Sequence, residues 1–187
     1  TANMYLDKDG NVIKGASTLG HLAVGVPGTV SGLEYARQKY GSMQRAALLA
    51  PAIALAERGF TLEQGDIELL HTATDAFRGD APTAAIFLKG GEPYQVGQTL
   101  QQKDLAQTLK DISASGEDGF YKGRVGAAIV ASSQAGKGIL TQADLDQYRT
   151  RELKPIECDY RGYQVISAPP PSSGGVVICE MLNIRSE

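Results

Sequence analysis

The chain has 187 residues, of which 42% are hydrophobic and 21% charged, and its formal net charge is −3. This composition is ordinary for a globular protein. Acidic and basic residues are interspersed, so no basic patch predicts binding to nucleic acid or to an anionic membrane. No apolar run approaches the ~20 residues that cross a bilayer. We therefore expect no nucleic acid and no membrane among its partners.

The cysteines and histidines predict neither a disulfide framework nor a metal site. Cys158 and Cys179 are the only cysteines, too few for a framework of bridges. His21 and His71 lie far from them in sequence, which disfavours a zinc site. We expect both thiols to be small buried apolar residues, and we predict no metal and no cofactor.

The chain opens with a loop and then becomes helical. The stretch Met4–Gly20 is rich in Asp, Gly and Asn, and Asp9-Gly10 is typical of a turn. From Thr29 onward, apolar residues recur at helical spacing until Gly41 closes the helix. Ser42 is the expected cap of the next helix.

Further helices and turns are predicted in the middle of the chain. Pro51 predicts a kink or a division of the second helix, and Gly59 is typical of a left-handed stop. Thr61–Gln64 has the form of a capping box, and the apolar stripe after it runs to Phe77. The stretch Gly79–Gly97 is rich in glycine and proline and predicts turns.

Shorter helical segments follow before residue 150. Leu105 and its apolar neighbours form a helical stripe that ends near Ile112. We predict a short helical turn over 117–123, a longer helix over 124–135, and a last short helix that Thr141 opens.

The pattern changes after Lys154. Apolar residues alternate in Ile156–Tyr160 and again from Tyr163, which predicts a β-hairpin. Arg161 disfavours the tightest hairpin turn, so we expect a bulged turn in which Gly162 has a positive φ. Pro169–Pro171 should stop the second strand, and Ser172 or Ser173 should cap a last helix, truncated by the chain end.

These elements predict an α+β fold that is mostly helical. Residues 1–150 form a mainly helical subdomain, and residues 151–187 form the hairpin, the proline-rich segment and the start of the next helix. Because a two-stranded hairpin is marginal alone, we expect this second layer to be incomplete.

Two glycine-containing segments are candidate sites. In Ala168–Gly175, prolines stiffen the approach to a helix whose first amides could hold a carboxylate or an oxyanion; alternatively, Gly174 and Gly175 only permit close packing. In Gly25–Gly32, Thr29 is a possible cap and Gly32 a point of close approach, and here we favour a structural role.

Other possible catalytic groups have simpler explanations. Ser173 lacks the glycine two residues earlier that a nucleophile elbow needs, so a triad with His21 or His71 is disfavoured. The carboxylate pairs Asp66/Glu68 and Asp144/Asp146 lie on polar helix faces, where solvation explains them. The tyrosines are expected to be packing anchors. An N-terminal threonine can act as a nucleophile, but Thr1 opens a polar loop and we treat it as an arbitrary start.

Several ordered segments together resemble the large subunit of gamma-glutamyltranspeptidases, over nearly the whole chain. They are Ala2–Asp7, Gly20–Val30, Pro51–Phe60, Phe120–Gly123, Asp159–Val165 and Pro169–Gly175.

The resemblance implies a partial N-terminal nucleophile (Ntn) hydrolase fold of αββα layers, here an internal fragment of the large subunit. It further implies a precursor that cuts itself, so that a threonine of the small subunit attacks the γ-glutamyl amide of glutathione or a related compound. The partners implied are that small subunit and the γ-glutamyl substrate. A periplasmic or secreted home also follows from the resemblance.

The sequence departs from this pattern by omission. The Thr-Thr/Ser-His cleavage site, the Gly-Gly oxyanion segment and the Phe-Arg-Glu stretch that binds the substrate carboxylate are not in it. We therefore assign no catalytic, substrate-binding or metal residue to this chain and expect it to be an inactive scaffold on its own. Two alternatives stay open: a related Ntn amidase (a cephalosporin or glutaryl acylase, or a poly-γ-glutamate enzyme), and a non-catalytic helical interaction module.

Overall fold

The structure is a computed structural model that describes residues 3–185. Thr1, whose possible nucleophilic role was weighed above, lies outside the described residues. The chain forms two compact units that divide after Arg149. Each unit is described by itself below.

The first unit is mainly helical. A short 3₁₀ turn spans His21–Ala23. The α-helices of its described part are α1 (Thr29–Tyr40), α2 (Arg45–Arg58), α3 (Gln64–Thr72), α4 (Thr74–Arg78), α5 (Ala81–Phe87), α6 (Lys103–Ser115), α7 (Asp118–Tyr121), α8 (Gly123–Ala135) and α9 (Gln142–Gln147). Its short strands are β1 (Phe60–Thr61), β2 (Leu88–Lys89), β3 (Glu92–Pro93) and β4 (Thr99–Leu100), which pair antiparallel as β1–β4 and β2–β3.

The predicted opening loop is confirmed. A single bridge joins Leu6 to Val12, and the turn between them is held by Asp7, whose carboxylate accepts hydrogen bonds from the amides of Asp9 and Asn11, both at 2.9 Å. Gly10 has a φ of 82°, as a left-handed turn position requires.

The first two long helices differ from expectation only in detail. Gly41 ends α1, and its amide bonds to the carbonyl of Arg37. Helix α2 runs through Pro51 as one helix, capped by Gln44 rather than Ser42. Gly59, with a φ of 80°, stops it as predicted. Of the two outcomes predicted at Pro51, the division into two helices was wrong: α2 is continuous, and its packing against α6 supports it as one helix.

The predicted capping box was displaced by two residues. Thr61 pairs with Thr99 in the β1–β4 ladder, so it is unavailable as a cap. Glu63 and Asp66 form the capping box of α3 instead. Leu62, which directly precedes Glu63, is buried with Ile67 and Leu100 in a small core, against which Leu70, Phe87 and Tyr94 pack.

The glycine-rich stretch after residue 79 contains a helix that the sequence did not predict. The carboxylate of Asp80 accepts a hydrogen bond from the amide of Thr83 at 3.0 Å, and Pro82 occupies the first turn of α5. Both are ordinary features of a helix start. The helices predicted from Leu105 to Tyr148 are confirmed as α6 to α9, and Thr141 caps α9 in a capping box with Asp144.

The second unit is a hairpin and one helix. Strands β5 (Ile156–Tyr160) and β6 (Tyr163–Ser167) pair antiparallel, and α10 spans Gly174–Ile184. Tyr160 pairs directly with Tyr163, so Arg161 and Gly162 alone form the turn, with φ values of 49° and 84°. The expected bulge was therefore wrong: Arg161 adopts the left-handed conformation that this turn demands.

The expectation for the cysteines was also wrong. Cys158 in β5 and Cys179 in α10 form a disulfide, with Cα atoms 6.0 Å apart. The sequence shows two thiols separated by 21 positions, and only the packing of helix on hairpin brings them together. Within residues 3–185, no helix combines the length and apolarity needed to span a bilayer.

Candidate functional site

The proline-rich candidate segment links β6 to α10 in the second unit. The bond between Pro170 and Pro171 is cis, and the amide of Ser172 bonds to the carbonyl of Pro169 at 3.2 Å. Ser173 is the cap residue of α10, although its side chain makes no capping bond. Ser173 therefore leaves the first amides of α10 without a side-chain cap. Uncapped amides at a helix start are the groups that the sequence analysis considered as possible partners of an anion.

The two glycines at the start of α10 have different surroundings. A Cβ on Gly175 would lie 2.7 Å from the carbonyl oxygen of Ala168 and 2.9 Å from the side chain of Ser167. Gly175 is buried, so it permits close packing of α10 on the end of β6. Gly174 would bring a Cβ no closer than 3.9 Å to the Ser172 hydroxyl. Close packing thus explains Gly175, while Gly174 is open to another group.

The loop before α1 is fixed by two tyrosines. The hydroxyl of Tyr121 donates to the carbonyl of Pro27 at 2.7 Å and accepts from the amide of Ser31 at 3.3 Å. The ring of Tyr121 stacks on that of Tyr148, with centroids 5.7 Å apart. Burial raises the pKa of Tyr121, so it stays a neutral hydrogen-bonding anchor at neutral pH.

The close approach in this loop occurs at Gly28 rather than Gly32. A Cβ on Gly28 would overlap the hydroxyl of Tyr148, whereas a Cβ on Gly32 would meet nothing within 4 Å. Thr29 was a proposed cap, but the cap residue of α1 is Gly28 and it offers no side chain. The structural role predicted for Gly25–Gly32 is therefore carried by contacts of Gly28, Pro27 and Ser31.

A cavity of about 490 Å³ lies in the first unit, and its lining includes Pro27 of the loop that Tyr121 holds. Its walls are mostly apolar, with Val24, Val125 and Ile129 among them. Its polar groups have partners: Arg124 pairs with Asp111 at 2.8 Å, and the buried Ser133 hydroxyl accepts from the amide of Leu140 at 3.1 Å. These groups serve to hold helices, and the cavity offers no activated nucleophile among the residues described.

The two histidines have different surroundings within the first unit. The His21 ring lies 3.4 Å from the hydroxyl of Ser132, measured from Nε2, and it covers Gly136, where a Cβ would overlap the imidazole. His71 is exposed in the last turn of α3. The structure thus gives His21 a packing role at the end of α8.

The predicted carboxylate pairs have local helix partners. Asp66 accepts from the amide of Glu63 at 2.9 Å, and Glu68 accepts from Gln64 at 2.9 Å. Hydrogen bonds from the hydroxyl and amide of Thr141 lower the pKa of Asp144.

Asp146 accepts from Gln142 at 2.9 Å. Solvation was therefore an incomplete explanation, because each of these carboxylates also stabilises a helix by a short-range hydrogen bond.

A buried charge network escaped the sequence analysis. Glu34 in α1 is 7% exposed. Its carboxylate binds Arg37 of the same helix at 2.8 Å and Arg45 of α2 at 2.7 Å. Arg45 also donates to the carbonyl of Ser113 in α6 at 3.3 Å. Hydrogen bonds from Arg37 and then Arg45 hold the pKa of Glu34 far below its ordinary value.

This network joins three helices of the first unit. The spacing of Glu34 and Arg37 was visible in the sequence as an ordinary helical pair. The role of Arg45 was not, because it depends on how α1 and α2 pack. Among residues 3–185, no group of three or more His, Cys, Asp or Glu side chains is placed to hold a metal ion.

A mostly helical unit followed by a disulfide-linked hairpin and helix defines an α+β framework, and comparison with known proteins places it. The whole chain, residues 1–187, matches the family model described as Gamma-glutamyltranspeptidase. It is 69% identical over 185 residues to the glutathione hydrolase proenzyme of Pseudomonas sp. (strain A14), a match that covers 98% of this chain and 32% of the relative. It is 40% identical over 190 residues to the Acylase ACY 1 proenzyme of Pseudomonas sp. (strain SE83), with 98% and 34% covered.

A solved structure agrees with these relatives. The crystal structure of Helicobacter pylori gamma-glutamyltranspeptidase superposes with a TM-score of 0.95 at 43% identity, over 100% of this chain and 54% of that one. The chain therefore belongs to the gamma-glutamyltranspeptidase family, which is a family of enzymes. This confirms the family resemblance and the mostly helical α+β fold. The chain spans about a third of the length of the curated relatives it matches.

Proposed function

We propose that this chain is the helical framework of the large subunit of a γ-glutamyl transferase/hydrolase that acts on glutathione and related γ-glutamyl amides. The observation that carries the proposal is the 69% identity, over 98% of the chain, to a protein named glutathione hydrolase proenzyme. Relatives named as acylases are less similar, at 40% identity. By the same argument from family, the intact protein is periplasmic or secreted.

The chemistry proposed for the intact protein proceeds through a threonine acyl-enzyme. The threonine hydroxyl attacks the γ-glutamyl carbonyl, its own α-amine takes the proton, and backbone amides stabilise the oxyanion. The α-ammonium returns this proton to the departing amine, whose release leaves the acyl-enzyme. Water then hydrolyses the acyl-enzyme, or the amine of an amino acid attacks it and takes the γ-glutamyl group. Breaking one difficult step into two easier ones is the gain from covalent catalysis.

The framework role is supported by contacts that fix helices and loops of this chain in place. Tyr121 fixes the loop before α1, and the Glu34 network joins α1, α2 and α6. Gly175 seats α10 against the end of β6. A framework matters for catalysis because small displacements of reacting groups cost large factors in rate. No catalytic or substrate-binding role is proposed for a residue of this chain.

A chimeric precursor tests the framework role. The matching segment of the Pseudomonas sp. (strain A14) proenzyme is replaced by this chain, and the product is examined for self-cleavage and for hydrolysis of a γ-glutamyl anilide. We expect two subunits on a denaturing gel and turnover within about tenfold of the parent proenzyme, since tenfold corresponds to about 1.4 kcal/mol of activation free energy. The isolated chain should show no turnover.

Two controls make the result interpretable. A chimera whose nucleophilic threonine is replaced by alanine should fold but neither cleave itself nor hydrolyse the anilide. Turnover by the isolated chain, persisting after repurification, would contradict the framework role. A chimera that folds as well as its parent yet is never processed would favour the interaction-module alternative.

The acylase alternative needs a separate test, because we expect the residues that decide between γ-glutamyl and glutaryl substrates to lie outside this chain. Sequencing the gene beyond the Glu187 codon should reveal a Thr-Thr-His or Thr-Ser-His triplet if the precursor is processed. The complete protein is then assayed with a γ-glutamyl anilide and a glutaryl anilide in parallel. Preference for the glutaryl substrate would assign the protein to the acylases of the family.

A further inference from the structure

The disulfide joins the centres of the two structured parts of the second unit. Cys158 is the middle residue of β5, and Cys179 lies midway along α10. Across the hairpin, Cys158 pairs with Val165 of β6. Cys179 is 8% exposed, so its sulfur lies on the face of α10 that meets the hairpin.

The second unit has little else to hold it together. In its described part, residues 150–185, only Gly175 and Cys179 are buried. Large apolar side chains on both elements face outward, including Tyr163 at 76% and Ile184 at 77% exposed. Units below ~40 residues rarely bury enough apolar surface to be stable without a disulfide, a metal or a partner. A hairpin alone is marginal.

The disulfide and the packing of Gly175 hold α10 against the hairpin at different positions. Gly175 packs against Ser167 and Ala168 at the end of β6, whereas the disulfide ties the middle of α10 to the middle of β5. Without the bond, the buried contact at Gly175 would hold only the start of α10 against the end of β6, and the rest of α10 would be free to move off the hairpin. The loop closed by the disulfide spans 21 positions, long enough for a cross-link to limit the unfolded ensemble strongly.

We propose that the Cys158–Cys179 disulfide is a redox-sensitive staple: residues 150–185 keep α10 packed on the hairpin when the bond is formed and lose that packing when it is reduced. This proposal is independent of the proposed function. Bond formation removes two protons and two electrons from the two thiols. A low-molecular-weight disulfide accepts the electrons and is released as two thiols, and a dithiol reverses the exchange.

The bond itself is tested first. The purified chain, denatured without reductant, is treated with a thiol-reactive dye, and we expect no reaction before reduction and reaction of both cysteines after it. Trypsin cuts after Arg151, Arg161 and Arg185, but Lys154 precedes proline. Peptides 152–161 and 162–185 should therefore appear in mass spectrometry as one linked species, which separates on reduction. Free thiols in the protein purified under air would overturn the proposal.

Hydrogen exchange then tests the staple. Peptides from 156–167 and 174–184 are followed in the oxidised and reduced wild-type chain, whose side chains are otherwise the same. We expect exchange in these peptides to quicken by at least about tenfold on reduction. The first unit contains neither cysteine, so peptides from 103–135 provide an internal control that should not change.

A variant separates loss of the bond from effects of the reductant. The chain with Cys158→Ser and Cys179→Ser should exchange like the reduced wild type, and reductant should not alter it further. Exchange that is equally slow in oxidised and reduced wild type would overturn the proposal. Exchange that is already unprotected in the oxidised chain would overturn it as well, because the bond would then hold nothing in place.

Discussion

Gly28 lies where the loop before α1 meets the hydroxyl end of the Tyr148 side chain. The ring is held there by its stacking on Tyr121, whose hydroxyl is bonded to the carbonyl of Pro27. A side chain at Gly28 would therefore act against the stack and against the anchored loop together. This arrangement makes residue 28 a point where one methyl group affects several contacts.

Substitution of Gly28 by alanine tests this contact. We expect Gly28→Ala to lower the free energy of unfolding by about 1–3 kcal/mol, since the new methyl group overlaps the Tyr148 hydroxyl. Gly32→Ala is the matched control in the same segment: its Cβ meets nothing, and alanine inside a helix should stabilise by about 0.5–1 kcal/mol. Urea titration of both variants gives the two values. Equal effects would contradict the packing role of Gly28.

These two glycines also show what a single residue reveals in a sequence. Gly32 was the predicted point of close approach, but the close contact occurs at Gly28. The contact that distinguishes them comes from Tyr148, which is remote in sequence. Local conformation was predicted well at Gly41 and Gly59, because a helix end depends on nearby backbone only.

At the scale of elements, the junction of β6 and α10 also depends on a close contact at a glycine. Helix α10 begins where Gly175 fits against Ser167 and the carbonyl of Ala168. Both contacts involve the end of β6, so the angle at which the helix leaves the strand is set by the absence of a side chain at residue 175.

Paired substitutions test the junction. Gly175→Ala should destabilise the packing of α10 by about 1–3 kcal/mol, measured as faster hydrogen exchange in residues 174–184. Gly174→Ala, one residue earlier and free of close contacts, should leave exchange unchanged. The same pair in the chimeric precursor separates packing from substrate contact: a raised KM for Gly174→Ala, with stability unchanged, would assign this segment to the substrate cleft.

Some element boundaries followed local signals in the sequence, and others did not. Thr141 opens α9 as predicted, in a capping box with Asp144, and the hairpin strands formed as predicted. Thr61 is not a helix cap because it pairs with Thr99. Strands of two residues are too short to show an alternating pattern, so this pairing could not be predicted from the sequence. Helix α5 was missed because Pro82 was taken as a turn residue, although proline is common in a first helical turn.

At the scale of the whole molecule, the Glu34 network gives the first unit a defined response to pH. The folded-state pKa of Glu34 is depressed below its ordinary value of 4.5. Its contribution to stability is therefore fully present above that value, where the unfolded carboxyl is also ionised. As the pH falls below it, the unfolded state takes up a proton first and the contribution is progressively lost.

Glu34→Gln measures that contribution. At neutral pH we expect a loss of about 2–3 kcal/mol, because the variant leaves two arginines near each other without their shared carboxylate. The difference from wild type should narrow by about 1.4 kcal/mol for each pH unit below the ordinary pKa. Glu68→Gln is the control, since Glu68 is an exposed helical carboxylate that binds one amide, and it should change stability little. A difference independent of pH would contradict the ionic role of Glu34.

Family and overall fold class were predictable from the sequence, whereas the contacts that hold the elements together were not. Ordered segments such as Gly20–Val30 identify the family because they combine local signals over the whole chain. The disulfide, the Arg45 contact and the Tyr148 contact each join residues whose proximity depends on packing, and no local pattern encodes them.

The pairing of Cys158 with Cys179 has a consequence for a protein proposed to handle glutathione. The two cysteine sulfurs of this chain are bonded to each other, so the oxidised chain offers no free thiol that the disulfide of oxidised glutathione could convert to a mixed disulfide. A cysteine introduced at an exposed position such as Val12, which is 77% exposed, would accordingly take up a maleimide fluorophore at that position alone.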